Sequence, residues 1–179
     1  MAIQREIYIL AGLNHPNIMK LFEVIDTPTH VNLIMQLCAG PNLLDHQKKI
    51  GEKVRFVNNK IWTYVLPEER VKIIFKQMAL AINYMHKLGL VHRDLRIENI
   101  IINENTNEVK FIDFGFATSF QANKQLQMIG GTPQIKDPKV IKSKTLQCQL
   151  ADVYSLGIIL YILVTGGVPN WALIESDVY

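Results

Sequence analysis

The chain has 179 residues, 49% of them hydrophobic and 20% charged, with a formal net charge of +3 at pH 7. This is the composition of a globular domain with a sizeable core, and it excludes wholesale disorder; two cysteines, Cys38 and Cys148, exclude a disulfide scaffold. The charge is too small to argue for nucleic acid, Arg5 and Glu6 interrupt any secretory signal, and the longest apolar stretch, 156–164, is too short to cross a bilayer.

An intracellular, cytoplasmic protein without membrane contact is therefore expected, with the nucleus left open. Ile3, Ile7, Leu10 and Ala11 recur at helical spacing until Asn14-His15-Pro16 stops the pattern. A helix running from Met1 without a start signal implies that part of a larger unit precedes it. Two strand-like runs, 19–25 and 31–37, joined by Asp26-Thr27-Pro28-Thr29-His30, predict a hairpin. Gly40-Pro41 breaks the chain, and Leu43 to Gln47 suit a short helix. Residues 48–64 are polar, basic and without clear periodicity, which predicts an extended loop or insertion.

Pro67-Glu68-Glu69-Arg70 opens a long helix, with proline suited to the first turn and the acids to the positive end of the helix dipole. Its apolar face is Val71, Ile74, Phe75, Met78, Ile82 and Met85, and Gly89 supplies the stop. Met78 and Met85 fill a core on this reading rather than form a ligand box. Short apolar runs at 100–102 and 109–112 flank a turn at 103–107. Residues 115–145 are mostly polar, and an apolar helix over 153–164 precedes Thr165-Gly166-Gly167.

Chemistry concentrates in Val91-His92-Arg93-Asp94-Leu95-Arg96-Ile97-Glu98-Asn99. It places Asp94 and Asn99 five residues apart in a loop, and Asp113-Phe114-Gly115 follows fourteen residues after Asn99, at a strand end. Phosphoryl transfer needs a carboxylate near the attacking hydroxyl and oxygen ligands for Mg²⁺ on the nucleotide phosphates. Asp94 could accept the hydroxyl proton, Asn99 and Asp113 could hold the metal, and Arg96 could set a fixed positive charge beside the transferring phosphate.

On these residues the chain resembles the eukaryotic protein kinases over nearly its whole length. His92 to Asn99 is similar to their catalytic loop, Asp113-Phe114-Gly115 to their metal-binding motif, and Gly131-Thr132-Pro133 to their substrate-docking loop. Asp152 to Gly157 looks like the start of the central helix of the large lobe. The resemblance implies an α+β, protein-kinase-like fold. It would have a truncated small lobe over 1–37, then a hinge and an incomplete, mainly helical large lobe over 38–179. It implies ATP and Mg²⁺ as cofactors, a protein substrate, no nucleic-acid or membrane partner and a monomer. Asp94, Arg96 and Thr132 fall at catalytic positions and Asn99 and Asp113 at metal positions. Met35, Gln36, Leu37, Cys38, Asn42, Ile101 and Glu6 fall around the nucleotide, Glu6 as the ion-pairing glutamate of the αC helix. His92 would stack with Leu10, Leu21 and Phe114 in a hydrophobic spine, and Asp152 would accept backbone hydrogen bonds from the catalytic loop. Glu98 and Thr132 fit the serine/threonine class, and the runs 13–18 and 21–25 resemble the calmodulin-dependent and AMP-activated kinase-related group.

The chain also departs from that pattern. No glycine-rich loop or third-strand lysine precedes Glu6, and the last helices of the large lobe are missing. Asp137-Pro138-Lys139 stands where Ala-Pro-Glu is expected, Ile135 replaces an aromatic, and Asn42 replaces a ribose-contacting acid. Phe120 to Gly131, with Met128 at the usual phosphorylated position, contains no Ser, Thr or Tyr, so no phosphorylation switch is expected there. Two readings follow: an ATP-dependent Ser/Thr protein kinase present as a fragment, or a pseudokinase or truncated non-catalytic binding module. Asp94, Asn99 and Asp113 favour the first. Truncation and Lys139 favour the second, and the chain alone is not expected to transfer phosphate at a useful rate.

Overall fold

A computed structural model describes residues 2–55, 62–120, 126–127, 145–146 and 148–169. The architecture is α+β: among the described residues, small two-stranded antiparallel sheets surround a helical core. Helix α1 (Ala2–Gly12) leads into β1 (Leu21–Asp26) and β2 (Val31–Met35), which pair as the hairpin the sequence predicts. Thr27 closes its turn, donating its backbone N–H to the His30 carbonyl at 2.9 Å.

The segment 48–64, expected as an extended loop, holds ordered elements instead. Helix α2 (Leu43–Ile50) continues past Gln47, and β3 (Glu52–Arg55) pairs with β4 (Trp62–Val65); residues 56–61 lie outside the described set. The cause is long-range. Buried Gln47 donates Nε2 to the carbonyls of Tyr64 at 2.6 Å and Ile162 at 2.8 Å, and Leu66 N–H donates to the Leu163 carbonyl at 3.0 Å. No periodicity within 48–64 could reveal partners a hundred residues away. His46, also buried, ties α2 to the turn at 103–107 through Glu104, Nδ1 to Oε1 at 3.0 Å.

Helix α3 (Glu68–Lys87) follows its sequence signals closely. Pro67 stands at its cap, Glu68 and Glu69 in its first turn, and Gly89 turns the chain at φ +71°. Val71, Ile74, Met78, Ala81, Ile82 and Met85 are buried. They pack against α4 (Cys148–Thr165), which starts five residues before the expected Val153. Between the helices run β5 (Leu90–Val91), a 3₁₀ turn (Ile97–Asn99), β6 (Ile100–Ile102), β7 (Val109–Phe111) and β8 (Thr118–Ser119). Strand β6 pairs with β7 and β5 with β8, while β9 (Leu126–Gln127) pairs with β10 (Thr145–Leu146). Among the described residues no helix is long and apolar enough to cross a membrane.

The alternation of β6 and β7 sets up the site. Ile100, Ile102, Val109 and Phe111 are buried in the core, so Ile101 and Lys110, paired in register, face the other way. The segment 36–42 is laid along that side. Ile102 N–H donates to the Pro41 carbonyl at 3.0 Å, and Gly40 (φ +131°) passes so close that a Cβ there would strike the Ile102 carbonyl.

Candidate active site

The loop after β5 is fixed from beneath by α4. Asp152, buried, accepts the backbone N–H groups of His92 and Arg93, each at 2.9 Å, and pairs with His86 Nε2 at 2.8 Å. Arg93 adopts φ +69°, a conformation disfavoured for a non-glycine residue and held here by Asp152 and by its own Nε donating to the Phe116 carbonyl at 2.7 Å. The expected structural role of Asp152 is thus visible in its contacts. His86 completes that anchor, and nothing in its sequence neighbourhood signals the role.

His92 packs against Phe111 and Phe114 at ring-centroid distances of 5.7 and 5.1 Å. Burial lowers its pKa against the opposing pull of Asp152, Asp94 and Asp113, so the ring is neutral and structural. Leu10 and Phe114 belong to the buried hydrophobic core, with Leu21 packed against it. Two residues on, Asp94 is only 8% exposed, its backbone N–H directed at His92 Nδ1 at 3.4 Å.

Strands β6 and β7 then bring the other two residues together. Asn99 leaves the 3₁₀ turn at the head of β6, Asp113 follows β7, and Ile112 N–H donates to the Asn99 carbonyl at 3.1 Å. Their side chains meet, Asn99 Nδ2 to Asp113 Oδ2 at 3.3 Å, while Gly115 N–H donates to Asp113 Oδ1 at 3.0 Å. This sets an amide and a carboxylate side by side, side chains whose oxygens are hard donors of the type Mg²⁺ accepts. Among the described residues no group of three or more His, Cys, Asp and Glu gathers as a self-sufficient metal cage. Asn99 and Asp113 fit as two protein ligands of a Mg²⁺ ion whose other ligands come from elsewhere. The pKa of the Arg96 guanidinium is raised, chiefly by its hydrogen bonds to Glu98, with smaller contributions from the charges of Asp94 and Asp113.

Helix α1 docks on the same motif. Arg5 Nη2 donates to the Gly115 carbonyl at 3.2 Å, and Glu6 lies beside Gly115 and Asp113. Burial and then the Asp113 charge raise the Glu6 pKa, offset by a hydrogen bond from the Phe114 backbone. On the far side, a cleft of about 190 Å³ opens between the segment 36–39 and the outward face of β6–β7. Gln36, Leu37, Cys38 and Ile101 are among the residues that line it, with Lys110 and Glu108 paired at 2.8 Å. Burial raises the Cys38 thiol pKa. Lys110 is absent from the residues the sequence points to, although a lysine between two buried strand residues marks the opposite face.

Other expected positions lie elsewhere. Met35 ends β2 and does not line that cleft, and Asn42 caps α2, accepting Asp45 N–H and donating to Asp45 Oδ2, both at 2.8 Å. Arg96 is held by Glu98 rather than by either aspartate, Nη2 to Oε1 at 2.9 Å and Nε to Oε2 at 3.2 Å. Thr132, Met128, Ile135 and Lys139 lie outside the described residues.

Comparison with known proteins identifies the family of the chain. The family described as protein kinase domain matches residues 1–178. The chain is 37% identical over 167 residues to sperm motility kinase 2B of Mus musculus, covering 93% of this chain and 32% of that protein. It is 38% identical over 164 residues to sperm motility kinase 3A of Mus musculus, covering 92% and 30%. To NUAK family SNF1-like kinase 1 of Homo sapiens it is 35% identical over 167 residues, covering 93% and 23%. The chain thus spans less than a third of the length of these relatives, while the family match takes in α1, the 36–39 segment, the Asp94 loop and the Asp113 motif. It belongs to the protein kinase family.

Proposed function

We propose that this chain carries the phosphoryl-transfer site of an ATP-dependent serine/threonine protein kinase. The observations that support it most are the meeting of Asn99 and Asp113 at 3.3 Å and a largely buried Asp94 on a loop anchored by Asp152. ATP would lie with its base in the cleft at Gln36, Cys38 and Ile101, and Asn99 and Asp113 would hold Mg²⁺. The nucleotide and metal supply the phosphoryl group and neutralise much of its charge. Asp94 receives the proton of the attacking Ser or Thr hydroxyl of a protein substrate. Its low exposure keeps water from competing for that carboxylate, and the Asp152 anchor keeps its position fixed, which is where most of the rate in this chemistry resides.

A second reading, a non-catalytic binding module, is favoured by Glu6, which faces Asp113 so that one acid meets another. Calorimetric titration with ATP, with and without Mg²⁺, separates the two together with a phosphate-incorporation assay on a serine peptide. The kinase reading expects Mg²⁺-dependent binding, weakened at least about tenfold by Asp113→Ala and little changed by Asp94→Asn. Transfer abolished by Asp94→Asn establishes catalysis. Binding without transfer that is indifferent to Mg²⁺ and to Asp113→Ala favours the module, and no binding to either form of ATP overturns the kinase reading.

A further inference from the structure

Arg96 and Glu98 clasp one another two residues apart, through both Nε and Nη2 and both carboxylate oxygens. The pair is open to approach, its side chains 36% and 39% exposed, and Glu98 sits in the 3₁₀ turn directly before Asn99. Arg96 lies on the same loop as Asp94 and Asn99, two and three residues from them, and the proposed phosphate site is theirs. The planar fork of arginine fits a carboxylate and a phosphate by the same two-donor geometry. While Glu98 occupies the Nε and Nη2 donors, those donors are closed to a phosphate. The Glu98 side chain is 39% exposed, so opening the pair leaves the carboxylate in contact with water.

We propose that Glu98 is a latch on Arg96: it competes with the terminal phosphates of the nucleotide for one guanidinium, and phosphate recognition requires the Arg96–Glu98 pair to open. This rests on the ATP-site reading above. Glu98 is then a positioning residue, acting on the phosphates only through Arg96. The latch depends on arginine at position 96, because a lysine ammonium is a point charge that cannot engage both carboxylate oxygens in a fork.

The test is calorimetric titration of the whole chain with adenosine and, separately, with Mg²⁺–ATP. Glu98→Gln is expected to tighten Mg²⁺–ATP binding by about two- to fivefold, the range of a partly exposed ion pair, and to leave adenosine unmoved. Removing a negative charge near a polyanion could do the same without any latch, so the cycle is repeated in Arg96→Lys. There Glu98→Gln is expected to change neither ligand; an equal gain in both backgrounds reduces the effect to bulk electrostatics and overturns the latch. If the wild type binds both ligands and Glu98→Gln moves neither, or moves both alike, the latch falls while the ATP-site reading stands. If no variant binds either ligand, both fall. Glu98→Asp, too short to hold both donors, is expected to shift Mg²⁺–ATP in the same direction as Glu98→Gln and provides the measurement should the glutamine substitution impair folding.

Discussion

The β1–β2 and β6–β7 ribbons are both two-stranded and antiparallel, yet they differ sharply in how much apolar surface each buries. In β6–β7 the core-facing residues Ile100, Ile102, Val109 and Phe111 are all completely buried, and His92 stacks against the ribbon from the catalytic loop. In β1–β2 most positions on both faces are exposed, Phe22, Val24, Ile25, Val31 and Ile34 among them. Backbone pairing is common to both, so the difference lies in what each face covers. Hydrogen-bonded ladders define a ribbon's shape, and apolar burial decides whether it is rigid. The residues that would do chemistry, Asn99 and Asp113, grow from the rigid ribbon. The β1–β2 hairpin contributes the outer approach to the cleft through the segment that follows Met35.

The largest expected effect tests this directly. Phe111→Ala in β7 removes a side chain of 0% exposure and should lower unfolding free energy by about 3–5 kcal/mol. Phe22→Ala in β1, where the ring is 60% exposed, should change it by less than about 0.5 kcal/mol. Urea unfolding of the two variants measures both. Similar losses at the two positions would mean that β1–β2 is as firmly packed as β6–β7 and would break the comparison.

A smaller effect comes from His92, wedged between Phe111 and Phe114. Its folded-state pKa lies below the ordinary 6.5 because burial disfavours the charged ring, so below pH 6.5 the unfolded chain binds the proton that the folded chain refuses. Its contribution to stability is full above pH 6.5 and is lost as the pH falls from there toward the folded value. The slope is at most about 1.4 kcal/mol per pH unit for one group. Unfolding measured from about pH 7.5 down to about pH 5 should show that decline, and His92→Phe should flatten most of it. His15 is also lowered, but it is more exposed, and its share should survive the substitution. An unchanged slope in His92→Phe would show that acid sensitivity resides elsewhere.

The same contrast explains what could be read from the sequence. Helix α3 was legible because its cap, its acidic first turn, its apolar face and its stop are all local. The motif residues Asp94, Asn99 and Asp113 were legible as a set because their order along the chain is the order in which β5, the 3₁₀ turn, β6 and β7 deliver them. What escaped depends on partners far along the chain. The continuation of α2 and the β3–β4 pair rely on Gln47 reaching the end of α4, and Lys110 reaches the cleft only because β6–β7 buries its other face. Asn42 and Arg96 were matched to family positions through the resemblance, Arg96 in place of a lysine and Asn42 in place of an acid. Their neighbours Asp45 and Glu98, three and two residues away, take their side chains in this chain.

The smallest expected change concerns Ile34, which sits on β2 opposite Glu23 and is 43% exposed. Because much of its surface already meets water, Ile34→Lys removes little buried area, and a lysine on a strand can keep its ammonium in solvent while its stem covers the ribbon. The unfolding free energy in urea should stay within about 0.5 kcal/mol of the parent. Solution behaviour should move more than stability. An exposed apolar ribbon with unpaired edges is a template for association, and a charge placed on it opposes edge-to-edge contact. Static light scattering over a concentration series should therefore show weaker self-association in Ile34→Lys at equal stability. A loss well above about 1 kcal/mol would instead show that Ile34 is covered in solution, and that the β1–β2 ribbon has a packing partner that its exposed face does not reveal.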